Sequence, residues 1–351
     1  MLRQAQHDVL SINNYPAMHH VELITTAILL VWVAIVITLE RIIPYRKGLP
    51  FFREGFWTDL VLYTFVQSFA LKIIIFDYII LPLDQHFGFS KLHFVTGWPI
   101  WTQVLFFLVT HDFYIYWFHR FQHSSPLFWR THEAHHSGKQ VDWLAGSRSH
   151  ALEIIINQTI EFAPIILLGA DPMVVPIKAC IDAVWGIWIH CNIDVRSGRL
   201  QYFINGPEMH LWHHADHEEV FYANFSTKFA FWDWIFGTAY RPDRKPLKWG
   251  LPYAFPKDYF SQHVFSVARF DEEELARRSP LFRAYHGLRG RLLTRLTNRV
   301  PALKPLHGWP VPELFDATIP AQRPGGNFAA APASAPLAET AVHSSPVALP
   351  R

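Results

Sequence analysis

The sequence predicts an all-α fold: an integral membrane bundle of about four to five apolar helices with a histidine-rich, metal-binding cap on one face. Three observations predict it. Apolar runs near bilayer length recur along the chain, charged residues make up 17% against about 25% in soluble domains, and the 21 histidines include three tight clusters. Half the residues are apolar and the net charge is only +2. With no basic patch and no recognisable binding motif, nucleic acid is excluded as a partner. Cys180 and Cys191 form no CxxC pair and no disulfide framework, and read as small buried thiols.

The apolar runs cover roughly 21–39, 59–81, 100–118, 152–169 and 173–189. The first has a single acidic residue, Glu22, at its edge and follows a polar N-terminus without a small-residue cleavage site, so it is expected as an anchor. The second carries Lys72 and Asp77, which are expected to face protein or an interface. Only Ala170, Asp171 and Pro172 separate the fourth from the fifth, the spacing of a tight hairpin that crosses fully or dips in. Basic residues cluster in 40–58 (Arg41, Arg46, Lys47, Arg53) and in 119–151 (Arg120, Arg130, Lys139, Arg148). Basic loops stay cytosolic, which sets the N-terminus outside and brings the chain to the cytosolic side after residues 39, 118 and 189. Residues 281–300 alternate arginines with apolar positions, the pattern of a surface helix on a membrane or in water. The Ala, Pro and Ser of 318–351 are expected to stay disordered. This gives a polar segment 1–20, one catalytic membrane domain 21–317 and a tail.

The clusters carry the chemistry. They are His119-Arg-Phe-Gln-His123, His132-Glu-Ala-His135-His136 and His210-Leu-Trp-His213-His214. With 21 histidines in 351 positions about 0.07 copies of H-x-x-H-H are expected by chance, and two occur. On a helix, positions i, i+3 and i+4 share a face, so His132 is expected at the centre with His135 and His136 diverging by about 100° to either side. Such a triplet reaches two metals at once. Two apolar runs separate the second box from the third, and an even number of crossings returns all eight histidines to one surface. Eight imidazoles are too many for one ion, so two metals are expected, although imidazole suits zinc, copper, iron and nickel alike.

The order HX3H, HX2HH, HX2HH resembles the fatty acid hydroxylase and sterol desaturase superfamily of membrane di-iron enzymes. Flanking residues carry the likeness further: His111-Asp112, Tyr116-Trp117, Ser137, Ser147 to His150, Asn224-Phe225, and Trp232-Asp233-Trp234-Ile235-Phe236-Gly237-Thr238. It covers about residues 100–240. The resemblance implies two irons, dioxygen, and hydroxylation or desaturation of a fatty acyl, sterol or ether lipid. Zinc binds such ligands more tightly than Fe(II), so purified protein is expected to carry zinc in some preparations. No ferredoxin cysteines, dinucleotide fingerprint or haem loop occurs, so electrons are expected from a separate protein or a diffusible reductant.

Other readings are weaker. His132-Glu133-x-x-His136 also satisfies the zinc-peptidase pattern with Glu133 as base, but leaves two boxes unexplained. A haem or metal-carrying membrane protein would use isolated histidines on spanning helices, not triplets at one surface. Beyond the boxes, Lys178, Asp182, Gly186 and His190 recur every four residues, as do Glu153, Asn157 and Glu161 on the preceding run. Two polar stripes are expected to face each other or the site. His190, at the site end, is expected as a ninth ligand. His111, Asp112, His150, His217 and Asn224 are expected to support the ligands without binding metal. Asp233 is expected as a turn or helix cap.

Overall fold

The computed structural model describes residues 16–270, 274 and 277–299. The expected tail 318–351 lies outside them, as does most of the N-terminal segment. All five apolar runs are helices. They are α1 (Pro16–Ile42), α2 (Thr58–Phe87), α3 (Ile100–Ser124), α5 (Ala151–Leu167) and α6 (Val174–His190). The remaining helices are α4 (Pro126–His136), α7 (Pro207–His213), α8 (Phe231–Ile235), α9 (Tyr259–Val267) and α10 (Pro280–Arg299). No strand occurs among the described residues; two isolated bridges, Pro44 with Ile193 and Ala215 with Trp249, pin loops together.

Among the described residues, two helices are long and apolar enough to cross a membrane, at Met18–Ile42 and Thr58–Phe87. Their outer faces bear Leu23, Ile24, Leu30 and Val31 on α1, and Phe65, Val66 and Phe69 on α2, all exposed. Apolar surface on that scale is at rest against lipid, not water, and the protein is a helical membrane protein. The helices α5 and α6 have 17 residues each, about 26 Å at ~1.5 Å per residue, short of a ~30 Å hydrocarbon core. Lys72 and Asp77 do not face protein. Leu71, Ile75 and Ile80 occupy the packed side of α2, and both charged groups are exposed on its other side.

The core joins α2, α3, α5 and α6 through Leu71, Ile75, Phe107, Phe162, Ile165 and Val174. Hydrogen bonds identify the bundle's two ends. At one, Asp171 N–H donates to Gln103 and Val95 N–H to Leu168 O. At the other, the Glu40 carboxylate at the end of α1 accepts from the backbone of Trp143 and Asn192. The ends of α1, α3 and α6 and the starts of α2 and α5 gather at one end. This end carries the histidines.

Candidate metal centre

Each box is set by local sequence. His119 and His123 lie one turn apart on the last turns of α3, so both face the same way. Pro126 and Pro207 stand at the first turns of α4 and α7, where a fixed φ and a missing N–H cost nothing, and the second and third boxes follow on those short helices. His190 is the last residue of α6.

The structure brings nine histidines together in two groups. His119, His123, His132, His136 and His213 form one, and His135, His190, His210 and His214 the other; within each, one ring nitrogen per residue lies within 4.8 Å of all the rest. The rings of His136 and His214 are 4.7 Å apart, so the groups adjoin. Each triplet divides the same way. The i, i+4 pair of one box joins one group and the i+3 histidine joins the other, so that His132 sides with His136 instead of standing between the two.

Six of the nine Nδ1 atoms are tied back. His119 donates to Phe225 O, His123 to Phe221 O and His213 to Ala223 O, each at 2.8 Å. His135 donates to Arg148 O at 3.0 Å and His190 to Gly186 O at 2.7 Å. His132 Nδ1 meets the Glu153 carboxylate at 2.9 Å. A carbonyl only accepts, so the proton sits on Nδ1 and the Nε2 lone pair faces inward. In the five-membered group every Nε2 is buried without a hydrogen-bond partner. In the other, Nε2 of His135 and His190 stand 3.2 Å apart, His190 and His210 2.9 Å, and His210 and His214 3.1 Å.

Neither His135 nor His190 has a proton on Nε2 to share, so two lone pairs oppose each other. A cation between them resolves the conflict. A metal bound at about 2.0–2.1 Å sets its nitrogens about 3.0 Å apart at a right angle and about 3.4 Å apart in a tetrahedron, the range seen here. Burial pushes the ring pKa values of His132, His136, His210, His213 and His214 down, and neighbouring imidazoles push them further. Neutral imidazoles are the ligand form. The residues fit a pair of metal ions.

The supporting residues act differently from expectation. Asp112 orients no imidazole; it accepts from Thr227 Oγ1, the N–H groups of Lys228 and Phe229, and Trp232 Nε1. Asn224 adopts φ 57°, a left-handed conformation in which Asn is enriched, and its side-chain amide donates to Met209 O and Tyr240 O and accepts from Tyr240 N–H. Asp233 accepts from Phe225 N–H, Ser226 N–H and Thr238 Oγ1, bracing a turn as expected. Together these three fix the segment whose carbonyls hold His119, His123 and His213. His150 caps α5 and turns to Ser266 at 2.8 Å, and its ring lies 4.5 Å from His263. His217 packs on Trp212, and His111 joins Lys178 and Glu161. The two polar stripes do meet, through Lys178 to Glu161 at 2.7 Å.

Sequence reasoning missed the Asp59 network and the carbonyl anchors. Asp59, wholly buried, grips Arg148 through both oxygens at 2.8 and 2.9 Å and Arg53 at 2.7 Å. An aspartate opening an apolar run was the available signal. Glu133 is not free to act as a base. Arg269 holds both its oxygens at 2.6 and 2.7 Å, and Tyr253 donates to it at 2.6 Å.

A membrane helix bundle that gathers nine imidazoles into two adjoining groups defines a class of membrane protein with a candidate metal centre. Residues 104–238 match the fatty acid hydroxylase family model. Over this stretch the chain is similar to the fatty acid hydroxylase and sterol desaturase superfamily, and the relatives it matches carry the same domain. It is 27% identical over 255 residues to the ornithine lipid hydroxylase of Rhizobium tropici, covering 71% of this chain and 77% of that one. It is 28% identical over 171 residues to human alkylglycerol monooxygenase, covering 48% of this chain and 38% of that protein. A methylsterol monooxygenase of Aspergillus fumigatus is 28% identical over 184 residues, 46% of this chain and 56% of its own length. No solved structure matches the chain.

Proposed function

We propose that the protein is a non-haem di-iron monooxygenase that hydroxylates a C–H position of a membrane lipid. The observation that carries this is the pair of imidazole groups, one with five buried, unpartnered Nε2 atoms and the other with the Nε2 lone pairs of His135 and His190 opposed. His119, His123, His132, His136 and His213 would hold one ion, and His135, His190, His210 and His214 the other. When bound, the irons supply the redox chemistry that divides dioxygen between a C–H bond and water, with two electrons from a separate protein or diffusible reductant and two protons. The chain's own part is to orient and enclose. The carbonyls of Phe221, Ala223, Phe225 and Arg148 and the Glu153 carboxylate fix ring tautomers. Relatives that are lipid hydroxylases and monooxygenases support a lipid substrate. The basic loops support a cytosolic face for the site, with the N-terminus outside and a multi-pass chain.

Purified protein is expected to carry about two transition metals per chain and, as iron protein with a reductant, to transfer one atom of labelled dioxygen to lipid. His135→Ala and His214→Ala are expected to abolish turnover while the protein stays in the membrane. His190→Ala is expected to lose one metal and His150→Ala none. A stable content of one metal, or full metal and turnover in His190→Ala, would overturn the assignment.

A further inference from the structure

A cavity of about 200 Å³ lies between α3, α5 and α6 beside the histidines, lined on one side by His119, His132, His135, His190 and His210. Its remaining lining is mixed: the apolar Ile115, Phe118 and Ile189 stand beside the polar groups of His111, Asn157, Asp182, Trp185 and Lys228. Behind it, the wholly buried Lys178 donates to Glu161, Asp182 and His111 Nδ1 at 2.7, 2.6 and 3.2 Å, and Lys228 reaches Asp182 at 2.6 Å. Ionisable groups at such depth in a bundle are costly and mark function more often than packing.

Two groups of this lining are left with unused donors. An ammonium has no lone pair, so His111 Nδ1 accepts from Lys178 and the ring proton sits on Nε2. That N–H is buried without a partner; Glu161 Oε2 is 3.8 Å away, too far for a hydrogen bond. The indole N–H of Trp185 is likewise buried and unpartnered. An oxygen acceptor would satisfy both. The acceptor is not an anion, since Lys178 and Lys228 are already outnumbered by Asp112, Glu161 and Asp182. Nor is it a whole lipid. The volume is below the roughly 300–1,000 Å³ of whole-ligand sites, and a sphere of that size is about 7 Å across.

We propose that this chamber binds an uncharged oxygen of the lipid, a hydroxyl, ether or amide carbonyl, through His111 and Trp185, so that the carbon oxidised lies within a few bonds of that oxygen. The inference deepens the function proposed above and rests on it. The chamber holds the polar end of the substrate against the histidines, and the hydrocarbon extends away. Oxidation deep in an unsubstituted chain is then disfavoured, because an alkyl segment would leave both N–H groups unpaired at about 1–3 kcal/mol each.

The test uses metal-loaded full-length protein in detergent and two probes, 1-O-hexadecylglycerol and hexadecane, with Kd measured for each and metal content and lipid oxidation measured in parallel. Wild type is expected to bind the ether lipid at least tenfold more tightly. Trp185→Phe, which removes the N–H and little volume, is expected to shrink that ratio at least threefold with hexadecane binding unchanged. His111→Phe is expected to do the same, and serves should the first variant fold poorly. Equal binding of the two probes by wild type, or a ratio unmoved in both variants, overturns the chamber. Loss of metal or of lipid oxidation in wild type overturns the function proposed above, and the binding ratio is read independently of it.

Discussion

Replacing Asp59 with Asn tests whether a carboxylate that bonds guanidinium groups rather than a ring nitrogen governs the second histidine group. Asp59 is wholly buried and pairs with Arg148 through both oxygens and with Arg53 through one; Arg53 also binds Asp142 at 2.8 Å. Asn removes the charge and, with one acceptor oxygen, strands part of two buried guanidinium groups. Breaking a buried pair by removing one partner costs about 3–5 kcal/mol, because the other charge is left uncompensated. At about 2–4 °C per kcal/mol the melting temperature should fall on the order of 5–15 °C. The effect on metal is more specific. Arg148 O is the acceptor for His135 Nδ1, so freeing the Arg148 side chain loosens the ring that belongs with His190, His210 and His214. Asp59→Asn should therefore lose one metal before the other, with the five-histidine group keeping its ion. The assay is melting in detergent together with metal content per chain after dialysis against a weak chelator. A variant that melts within about 2 °C of wild type and keeps both metals would refute the reasoning.

Further outcomes are expected elsewhere. Glu153→Ala removes the partner of His132 Nδ1, and metal affinity of the five-membered group should fall about 10–100-fold by competition with a chelator. Burial and the neighbouring His263 hold the His150 pKa down at about 4 against an ordinary 6.5. A depressed histidine contributes stability that is present above pH 6.5 and lost as pH falls toward 4, so the melting temperature should drop over that window. His150→Asn, which keeps a capping side chain for α5, should flatten the drop. Deleting residues 318–351 should leave activity within about twofold by lipid product analysis.

Much of the candidate centre was legible because its histidines are dense and periodic. The i, i+3, i+4 spacing puts three imidazoles on one face of α4, and the stripe on α6 points His190 at the same end. The anchors were less legible. Phe221, Ala223 and Phe225 contribute only their carbonyls, and a backbone acceptor leaves no mark in a side-chain alphabet. His150 misled for a related reason. It lies two residues after the carbonyl that holds His135, yet its ring turns to Ser266 on α9 instead. Asp112 and Asn224 sit where support was expected, but act on the backbone that carries the anchors rather than on the rings.

That difference bears on how the centre is assembled. Three rings from two helices, His119 and His123 on α3 and His213 on α7, all hang on one five-residue stretch, 221–225. Its shape depends on Asn224 in a left-handed conformation and on two aspartates, Asp112 from α3 and Asp233 from α8, that gather seven N–H and hydroxyl donors between them. The closing Trp232 to Thr238 stretch is thus part of the metal centre without contributing a ligand: Trp232 Nε1 and Thr238 Oγ1 are two of those seven donors. A bundle that brought the boxes to one end without this stretch would leave three buried rings free to rotate, and the five-nitrogen group would not converge. Order in the site therefore comes from the segment after the third box as much as from the boxes themselves.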